Sequence, residues 1–357
     1  MKTYIKFLTT SYLKSLFNVF IIMLSLVFIL NILSETEFLN NAKVNALVPV
    51  YLSLMSSPSI IFEMFPFIFL LGTQFFFIKF FNNNEIQIFK YSGLKNSKIV
   101  TIIGLLSFLI GIIIITLFYS FSSNLQNYYL KLKNNYSQND EHLAVITKNG
   151  LWIKDIINKE INIINASKID QNYLTNIFIT KFDKDYNLIK SIKSDKVDIK
   201  NNIWLIYDAT IYQDNMSTKA EVIKFNSNFD QDKIENLFSN LSSLSILRLI
   251  DLRNNYKSLN YSLTEIDIQI QKILSYPIYL TLMTIFSSII MFNTKRFKNT
   301  TIKISIGLSL SVIIYYINNF FNVMGITEKI PLYFAVWTPL ILLLLTNLLM
   351  VIKINEK

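Results

Sequence analysis

The chain has no cysteine, one histidine (His142), and only seven glycines and six prolines among its 357 residues. The absence of cysteine excludes disulfide bonds, a thiol nucleophile and thiolate metal sites. A single histidine argues against a multi-histidine metal site and against a Ser/His/Asp triad. No pair of glycines has the spacing of a Walker phosphate-binding loop, so ATP, if it is used, must bind to another chain.

Charged residues are also scarce: they make up 16% of the chain, against about 25% in soluble domains. Hydrophobic residues make up 52%, and the mean hydropathy is +0.39. This composition excludes a disordered or collagen-like chain. It indicates a membrane protein that also carries a folded soluble part.

Six apolar stretches are long enough to cross a bilayer, which takes roughly 20 residues. They cover residues 16–33, 59–81, 99–121, 273–292, 302–323 and 331–352. Lys2 and Lys6 precede the first stretch, and basic residues also precede the apolar run of a signal peptide. We interpret it as a membrane span, because the run is too long and no small-residue cleavage pattern follows it.

Basic residues predict the orientation of these spans. One set of short segments contains thirteen basic residues against Glu85 and Glu356, whereas the opposite loops contain Lys43 and Lys329 against three glutamates. The thirteen are Lys2, Lys6, Lys14, Lys79, Lys90, Lys95, Lys98, Lys295, Arg296, Lys298, Lys303, Lys353 and Lys357. By the positive-inside rule, both termini are cytoplasmic and the long middle segment is external. The net charge of +10 thus reflects topology and does not indicate nucleic-acid binding.

The middle segment has a different pattern. From about residue 142 to 228, apolar and polar residues alternate in short runs that are rich in isoleucine. This period of two predicts half-buried antiparallel strands, and Asn149-Gly150 is a hairpin-turn candidate. We predict a small β-sandwich or jellyroll, followed by helical sequence over residues 232–272.

The predicted organisation is therefore three spans in residues 1–121, an external β domain with a connecting helical segment in 122–272, and three spans in 273–357. In the second cytoplasmic loop, residues 83–94 form a short predicted helix. Asn82–Asn84 are candidates for the N-terminal cap of this helix. Glu85 lies in its first turn, where the helix dipole stabilises a negative charge, and Gly93 is a candidate for the residue that ends it. This helix either simply links two spans or docks into the groove of a partner.

The loop residues Glu85, Phe89, Gly93 and Leu94 resemble the coupling-helix segment of the LptF/LptG lipopolysaccharide-export permeases. Matching features follow in order along nearly the whole chain. They are Pro66 and Gly72, residues 151–155 and 241–256, Pro277, Gly307 and Tyr316, and Pro331 with Trp337-Thr338-Pro339. The segments 151–155 and 243–249 look more like the G-type subunit than the F-type.

The resemblance implies a membrane α-helical fold of six transmembrane helices, three before and three after an inserted periplasmic all-β jellyroll. It implies a non-catalytic permease subunit of an ABC-type exporter in the bacterial inner membrane, with no cofactor of its own. The expected partners are an LptF-type permease subunit, a cytoplasmic ATPase dimer that binds ATP, a bitopic LptC-like protein, a periplasmic LptA-like bridge, and lipopolysaccharide itself. Glu85, Phe89, Gly93 and Leu94 would couple the chain to the ATPase.

One region departs from the family pattern. Members often carry basic residues at the periplasmic end of the first span, whereas Glu35 and Glu37 stand here. Glu63 in the second span is costly in lipid unless it is paired or hydrated. Together with Glu35, Trp152 and Trp204, Glu63 is a candidate for the lipid pathway, although we expect both tryptophans chiefly in the core of the β domain.

Two other classes of function remain open at this stage. A membrane enzyme that modifies lipids would need clustered acid/base or metal ligands, and only Glu63 and the Glu35/Glu37 pair are visible. A structural protein that merely anchors a β domain would not need six spans. The proteins that copurify with the chain would discriminate among these classes.

Overall fold

Long apolar helices dominate the first of two units in the computed structural model. The model describes residues 3–39, 45, 47–136, 151–157, 160–170, 172–213, 216–231, 234, 241–258, 262–294 and 299–351. The first unit comprises Met1–Tyr129, Leu241–Leu249 and Leu263–Lys357, and the second comprises Leu130–Asn240 and Ile250–Ser262. Asn149, Gly150 and His142 lie outside the described residues.

The described α-helices are α1 (Thr3–Leu39), α2 (Leu47–Asn82), α3 (Glu85–Tyr91), α4 (Asn96–Ile113), α5 (Ser120–Tyr136), α6 (Ile246–Ser258), α7 (Thr264–Asn293), α8 (Thr300–Ile326) and α9 (Leu332–Val351). Six helical segments of the described chain are long and apolar enough to span a membrane: α1, α2, α4 together with α5, α7, α8 and α9. A six-residue π-helix, Ile114–Tyr119, joins α4 to α5 and makes them one continuous span. The prediction of six spans around an inserted β domain is confirmed.

The fourth span begins earlier than its hydropathy suggests. We predicted it from residue 273, but α7 starts at Thr264 and includes Lys272. The polar first turns lower the local hydropathy without ending the helix, because backbone hydrogen bonding continues wherever residues have reasonable helix propensity. Lys272 therefore belongs to a spanning helix rather than to the soluble insert.

A cluster of buried hydroxyl groups joins four of the spanning helices. The Tyr12 hydroxyl oxygen lies 2.8 Å from Ser107 Oγ, 3.2 Å from Thr284 Oγ1 and 3.3 Å from Thr73 Oγ1. All four residues are fully buried. In an apolar environment these hydroxyls satisfy one another, and we call this group the Tyr12 cluster.

Close helix contact also depends on Gly307 in α8. The Gln74 side chain of α2 lies against Gly307, where a Cβ atom would overlap the Gln74 amide. Gln74 Nε2 donates a hydrogen bond to the Lys303 carbonyl oxygen at 3.1 Å. Small residues at such crossings let polar side chains reach the backbone of the neighbouring helix.

The second unit contains one antiparallel sheet. Its strands are β1 (Leu151–Ile157), β2 (Glu160–Ala166), β3 (Lys168–Asp170), β4 (Tyr173–Phe182), β5 (Leu188–Asp198), β6 (Ile203–Gln213) and β7 (Met216–Asn226), in the order β1-β2-β4-β5-β6-β7 with β3 beside β4. Ile153, Ile164, Ile179 and Ile192 pair in register and are buried. The predicted alternation thus places one face of the sheet on a core. Apart from β3, each described strand pairs with the next one along the chain.

Asp155 holds the two edge strands together at one end of this sheet. Its buried carboxylate accepts hydrogen bonds from Ser227 Oγ at 2.8 Å, from the Asn228 backbone amide at 3.1 Å and from Asn228 Nδ2 at 2.7 Å. Asp155 lies on β1, and Ser227 and Asn228 directly follow β7. Charge-assisted bonds of this kind are stronger than neutral ones, so they tie the end of β7 to β1.

Candidate functional site

Helix α3 begins in a tight turn at the end of α2. Asn84 has a left-handed backbone with φ 57°, a conformation that asparagine tolerates better than most residues. Asn84 occupies the N-cap position, as predicted, but its side chain makes no capping hydrogen bond. Instead, Asn83 Nδ2 donates to Glu85 Oε1 at 3.0 Å and orients the Glu85 carboxylate in the first turn.

The C-terminal end of α3 follows the prediction for Gly93. Gly93 adopts φ +78°. The Gly93 amide donates to the Lys90 carbonyl and the Leu94 amide donates to the Phe89 carbonyl, each at 3.0 Å. This pair of bonds is a Schellman motif, which satisfies the last carbonyl groups of a helix and fixes the direction of the chain beyond it.

The apolar side of α3 packs onto its own chain. Ile86 is buried, and Phe89 is only 9% exposed, with its ring centroid 5.4 Å from that of Phe80 and 6.0 Å from that of Phe7. Leu94 packs half-buried against the same hydrophobic cluster. The prediction that Phe89 and Leu94 anchor α3 in a partner is therefore corrected: they fix α3 to the spanning helices.

The outward side of α3 presents two large side chains. Ile88 is 66% exposed and Tyr91 is 89% exposed. They are three residues apart and so lie on the same side of the helix. The sequence signal was weak, because seven residues are too few to show which of two apolar stripes faces inward.

Glu35 is buried near the end of α1. The Tyr129 hydroxyl of α5 donates to Glu35 Oε1 at 2.7 Å, and both residues are buried. Glu35 therefore holds two helices together at this point, whereas the neighbouring Glu37 is exposed. The carboxylate is an acceptor inside the fold, which accounts for an acidic residue at this position.

Glu63 lies on the exposed side of α2, and Lys272 of α7 is half-buried. The two helices meet close to these residues, where the Tyr276 hydroxyl of α7 donates a hydrogen bond to the carbonyl oxygen of Phe62 on α2. Lys272 escaped notice in the sequence because we placed it outside the fourth span.

The two tryptophans of the β domain differ. Trp204 is fully buried, and its Nε1 donates to the Phe229 carbonyl oxygen at 2.8 Å, so its expected place in the core is confirmed. Trp152 is 59% exposed, and the expectation that it is a core residue is wrong. Trp152 lies on the outward face of the sheet, because successive side chains of a strand such as β1 alternate between the two faces.

The edges of the sheet are β1 and β7, since β6 pairs with a strand on each side. Among the described strands, β6 is therefore an inner strand and β1 an edge strand. Within the residues that the structure describes, no three His, Cys, Asp or Glu side chains cluster in a way that could hold a metal ion.

Comparison with known proteins extends these observations to nearly the whole chain. A search of curated proteins finds no match. The family model described as lipopolysaccharide export system permease LptF/LptG matches residues 6–353. This model covers both subunit types and does not distinguish between them. Six spanning helices around an inserted β domain fit such a multi-pass inner-membrane permease, and the chain belongs to the LptF/LptG family of lipopolysaccharide export permeases.

Proposed function

We propose that this chain is a non-catalytic membrane subunit of an ABC-type exporter that extracts lipopolysaccharide from the inner membrane. A separate cytoplasmic ATPase dimer binds and hydrolyses ATP, and α3 transmits the resulting motion. Family membership supports the lipid and the transport step. The observation that carries the coupling role is the exposure of Ile88 and Tyr91 on a helix that is anchored from its other side.

The geometry of α3 suits a helix that docks into a groove. Phe89 and the Schellman motif fix its orientation, so little conformational freedom remains to be lost on binding. Tyr91 and Ile88 then supply apolar contact area, and tyrosine is enriched among residues that dominate binding energy. Glu85 adds a carboxylate held by Asn83 at the start of the same helix.

The proposed orientation places α3 and both termini in the cytoplasm and the β domain in the periplasm. It is supported by thirteen basic residues in the short segments assigned to the cytoplasm, against two in the opposite short loops. Reporters fused after Lys357 or within residues 82–98 should be cytoplasmic, and a reporter at Asn149 should be periplasmic. A periplasmic C-terminus would rule out the arrangement.

The remaining proposed partners are the second permease subunit, a bitopic LptC-like protein and an LptA-like bridge. An LptG-type identity for this chain would make the second subunit an LptF-type one. Within the described residues, β1 and β7 each pair with a strand on one side only, which suits sheet extension into a periplasmic β protein. Trp152, exposed on β1, would lie beside such a junction.

The coupling role is tested by Ile88→Ala and Tyr91→Ala, singly and together, in the assembled exporter. Each substitution should weaken ATPase copurification by about tenfold, the equivalent of about 1.4 kcal/mol. Both residues are exposed, so insertion of the chain and folding of the β domain should be unaffected. Glu85→Ala should reduce transport in the same way.

Leu188→Ala is the matched control, because Leu188 is 62% exposed but lies on β5. It should leave ATPase copurification unchanged. Phe89→Ala should also lower copurification, through loss of α3 packing, and should in addition lower the stability of the chain. If the Ile88/Tyr91 double variant kept normal ATPase copurification and transport, the assignment of α3 to energy coupling would be wrong.

A further inference from the structure

Three aromatic rings lie side by side at one level of the helical unit. The Tyr119 ring, at the end of the π-helix in the third span, lies 4.9 Å from the Phe62 ring of α2, measured between centroids. The Phe62 ring in turn stacks on the Tyr276 ring of α7, with centroids 4.7 Å apart. Tyrosine is enriched where spanning helices leave the hydrocarbon layer. The three rings are therefore a candidate boundary of that layer.

Helix lengths place these rings one hydrocarbon thickness away from α3. Tyr119 follows the start of α4 by twenty-three residues, Phe62 precedes the end of α2 by twenty, and Tyr276 precedes the end of α7 by seventeen. The ends of α2 and α7 adjoin each other, since the Phe77 and Phe292 rings lie 5.1 Å apart. At 1.5 Å per residue the three separations are about 35, 30 and 26 Å. The hydrocarbon layer is about 30 Å thick, so with α3 at one membrane surface the rings lie at the opposite one.

The start of α6 is tied to this surface. The Tyr119 hydroxyl donates a hydrogen bond to the Leu244 carbonyl oxygen at 2.9 Å, and both residues are buried. Leu247, in the first turn of α6, follows three residues later. Three residues of chain span at most about 10 Å. The first turn of α6 therefore lies in or beside the interfacial layer of the membrane.

The sides of α6 differ in character. Leu249 is fully buried, and its side of the helix packs onto the protein. Leu247 is 75% exposed and Ile250 is 43% exposed; they are three residues apart and share a second side. Arg248 and Asp251 are exposed on a third side. Helices that lie in a membrane interface combine an apolar side and a charged side in this way.

Exposed apolar side chains on the neighbouring spans show what surrounds Leu247. Phe121 follows Tyr119 by two residues and is 58% exposed, and Leu274 precedes Tyr276 by two residues and is 63% exposed. Each backbone position is thus about 3 Å beyond the rings. Large apolar side chains on the outward faces of spanning helices are typical of the hydrocarbon region. Its apolar boundary therefore reaches past the rings toward the level of Leu247.

We propose that α6 is an interfacial helix, which inserts Leu247 and Ile250 into the acyl-chain boundary of the outer leaflet and keeps Arg248 and Asp251 among the headgroups and water. The partner of this surface is membrane lipid, because the helix begins at the depth where acyl chains end. The helix holds the segment that leads into the fourth span on the membrane surface. The inference uses the proposed orientation only to name the leaflet.

The natural absence of cysteine allows a direct test, since each introduced cysteine can carry the only spin label in the chain. The full-length chain is placed in nanodiscs of phosphatidylethanolamine and phosphatidylglycerol. Collisions of the label are then measured with oxygen, which concentrates in hydrocarbon, and with a nickel chelate, which stays in water. Labels at Leu247→Cys and Ile250→Cys should collide with oxygen and lose their collisions with the nickel chelate.

Three control positions calibrate these readings. Leu274→Cys, on the spanning helix α7, should behave as Leu247→Cys does. Leu188→Cys, 62% exposed on β5, should collide with the nickel chelate. Arg248→Cys, next to Leu247 on the charged side, should also admit the chelate. All these residues are exposed, so the labels should leave the fold intact.

Several results would overturn the proposal. A Leu247 label as accessible to the nickel chelate as the Leu188 label would place this side of α6 in water. A label shielded from both reagents, alone or with the second permease subunit present, would show that protein covers it. Equal readings at Leu247 and Arg248 would mean that α6 has no fixed side toward the membrane. These measurements report depth and need no transport, so a failure of the proposed export function would leave them unchanged.

Discussion

Replacement of Tyr12 by phenylalanine removes one oxygen atom from the centre of the helical unit. The Tyr12 hydroxyl contacts Thr73, Ser107 and Thr284 on three other helices, and all of these residues are fully buried. The aromatic ring remains in the variant and keeps its edge-on contact with Phe76, whose ring centroid is 5.9 Å away. The substitution therefore isolates the contribution of the hydroxyl group.

The expected loss can be worked out from the bonds that survive. Thr73, Ser107 and Thr284 each also donate to a carbonyl of their own helix, at 2.6, 2.9 and 3.0 Å. No polar group is stranded, and because Tyr12 has a single hydroxyl proton to donate, the cost is that of one interhelical hydrogen bond. Such bonds contribute about 0.6 kcal/mol on average and about 1.7 kcal/mol at most in membrane proteins, so Tyr12→Phe should lower the free energy of unfolding by an amount in this range. Tyr12→Ala, which also empties the volume of the ring, should cost about 3–5 kcal/mol.

Equilibrium unfolding by sodium dodecyl sulfate in mixed micelles measures this difference. Tyr316→Phe is the matched control, because Tyr316 is 65% exposed on α8 and should change the unfolding free energy by less than about 0.5 kcal/mol. If Tyr12→Phe were as stable as the native chain, the hydroxyl cluster would contribute nothing to helix association. A loss as large as that of Tyr12→Ala would show that the remaining hydroxyls are left without partners.

Three further predictions concern single contacts. Asp155→Ala should destabilise the β domain by about 3 kcal/mol, since it strips a carboxylate from buried donors; unchanged hydrogen exchange of the domain in the intact chain would contradict this. Hydrogen bonds from the side chain and backbone of Asn187 lower the pKa of Asp183, so the stability they add is present above the ordinary pKa and is lost as the pH falls through the lowered one. Asn187→Ala should move the carboxyl pKa, followed by NMR, back toward its ordinary value. Gly307→Val should cost at least about 2 kcal/mol in the micelle assay, because the new side chain overlaps Gln74; a stable variant would mean that the two helices separate freely.

Much of the architecture was predictable because it follows from one-dimensional patterns. Apolar runs of the right length marked the spans, and alternation of isoleucine with polar residues marked β2 and β4. Gly93 could be assigned to the end of α3 because few other residues adopt a positive φ. These features depend on near neighbours in the chain, so a single sequence contains them.

The errors concern the direction in which side chains point. Phe89 and Tyr91 are both aromatic and two residues apart, yet the first is buried and the second exposed. The distant residues Phe7 and Phe80 decide between them by surrounding Phe89, and no local pattern reports those contacts. Trp152 was misplaced for the same reason, because alternation along β1 gives two faces without saying which is inside.

The π-helix at Ile114–Tyr119 makes the length of the third span matter in an unusual way. Its wide turn holds one residue more than an α-helical turn would, so deletion of one residue there, with a return to regular winding, would keep the direction in which α5 faces. Deletion of one residue from the regular helix α4 would instead turn all of α5 by about 100°. Tyr129 would then point away from Glu35, although every residue of that contact would still be present. A one-codon deletion in α4 would thus leave an apolar span and still uncouple α5 from α1. In this chain the number of residues between two helices is itself part of the contact.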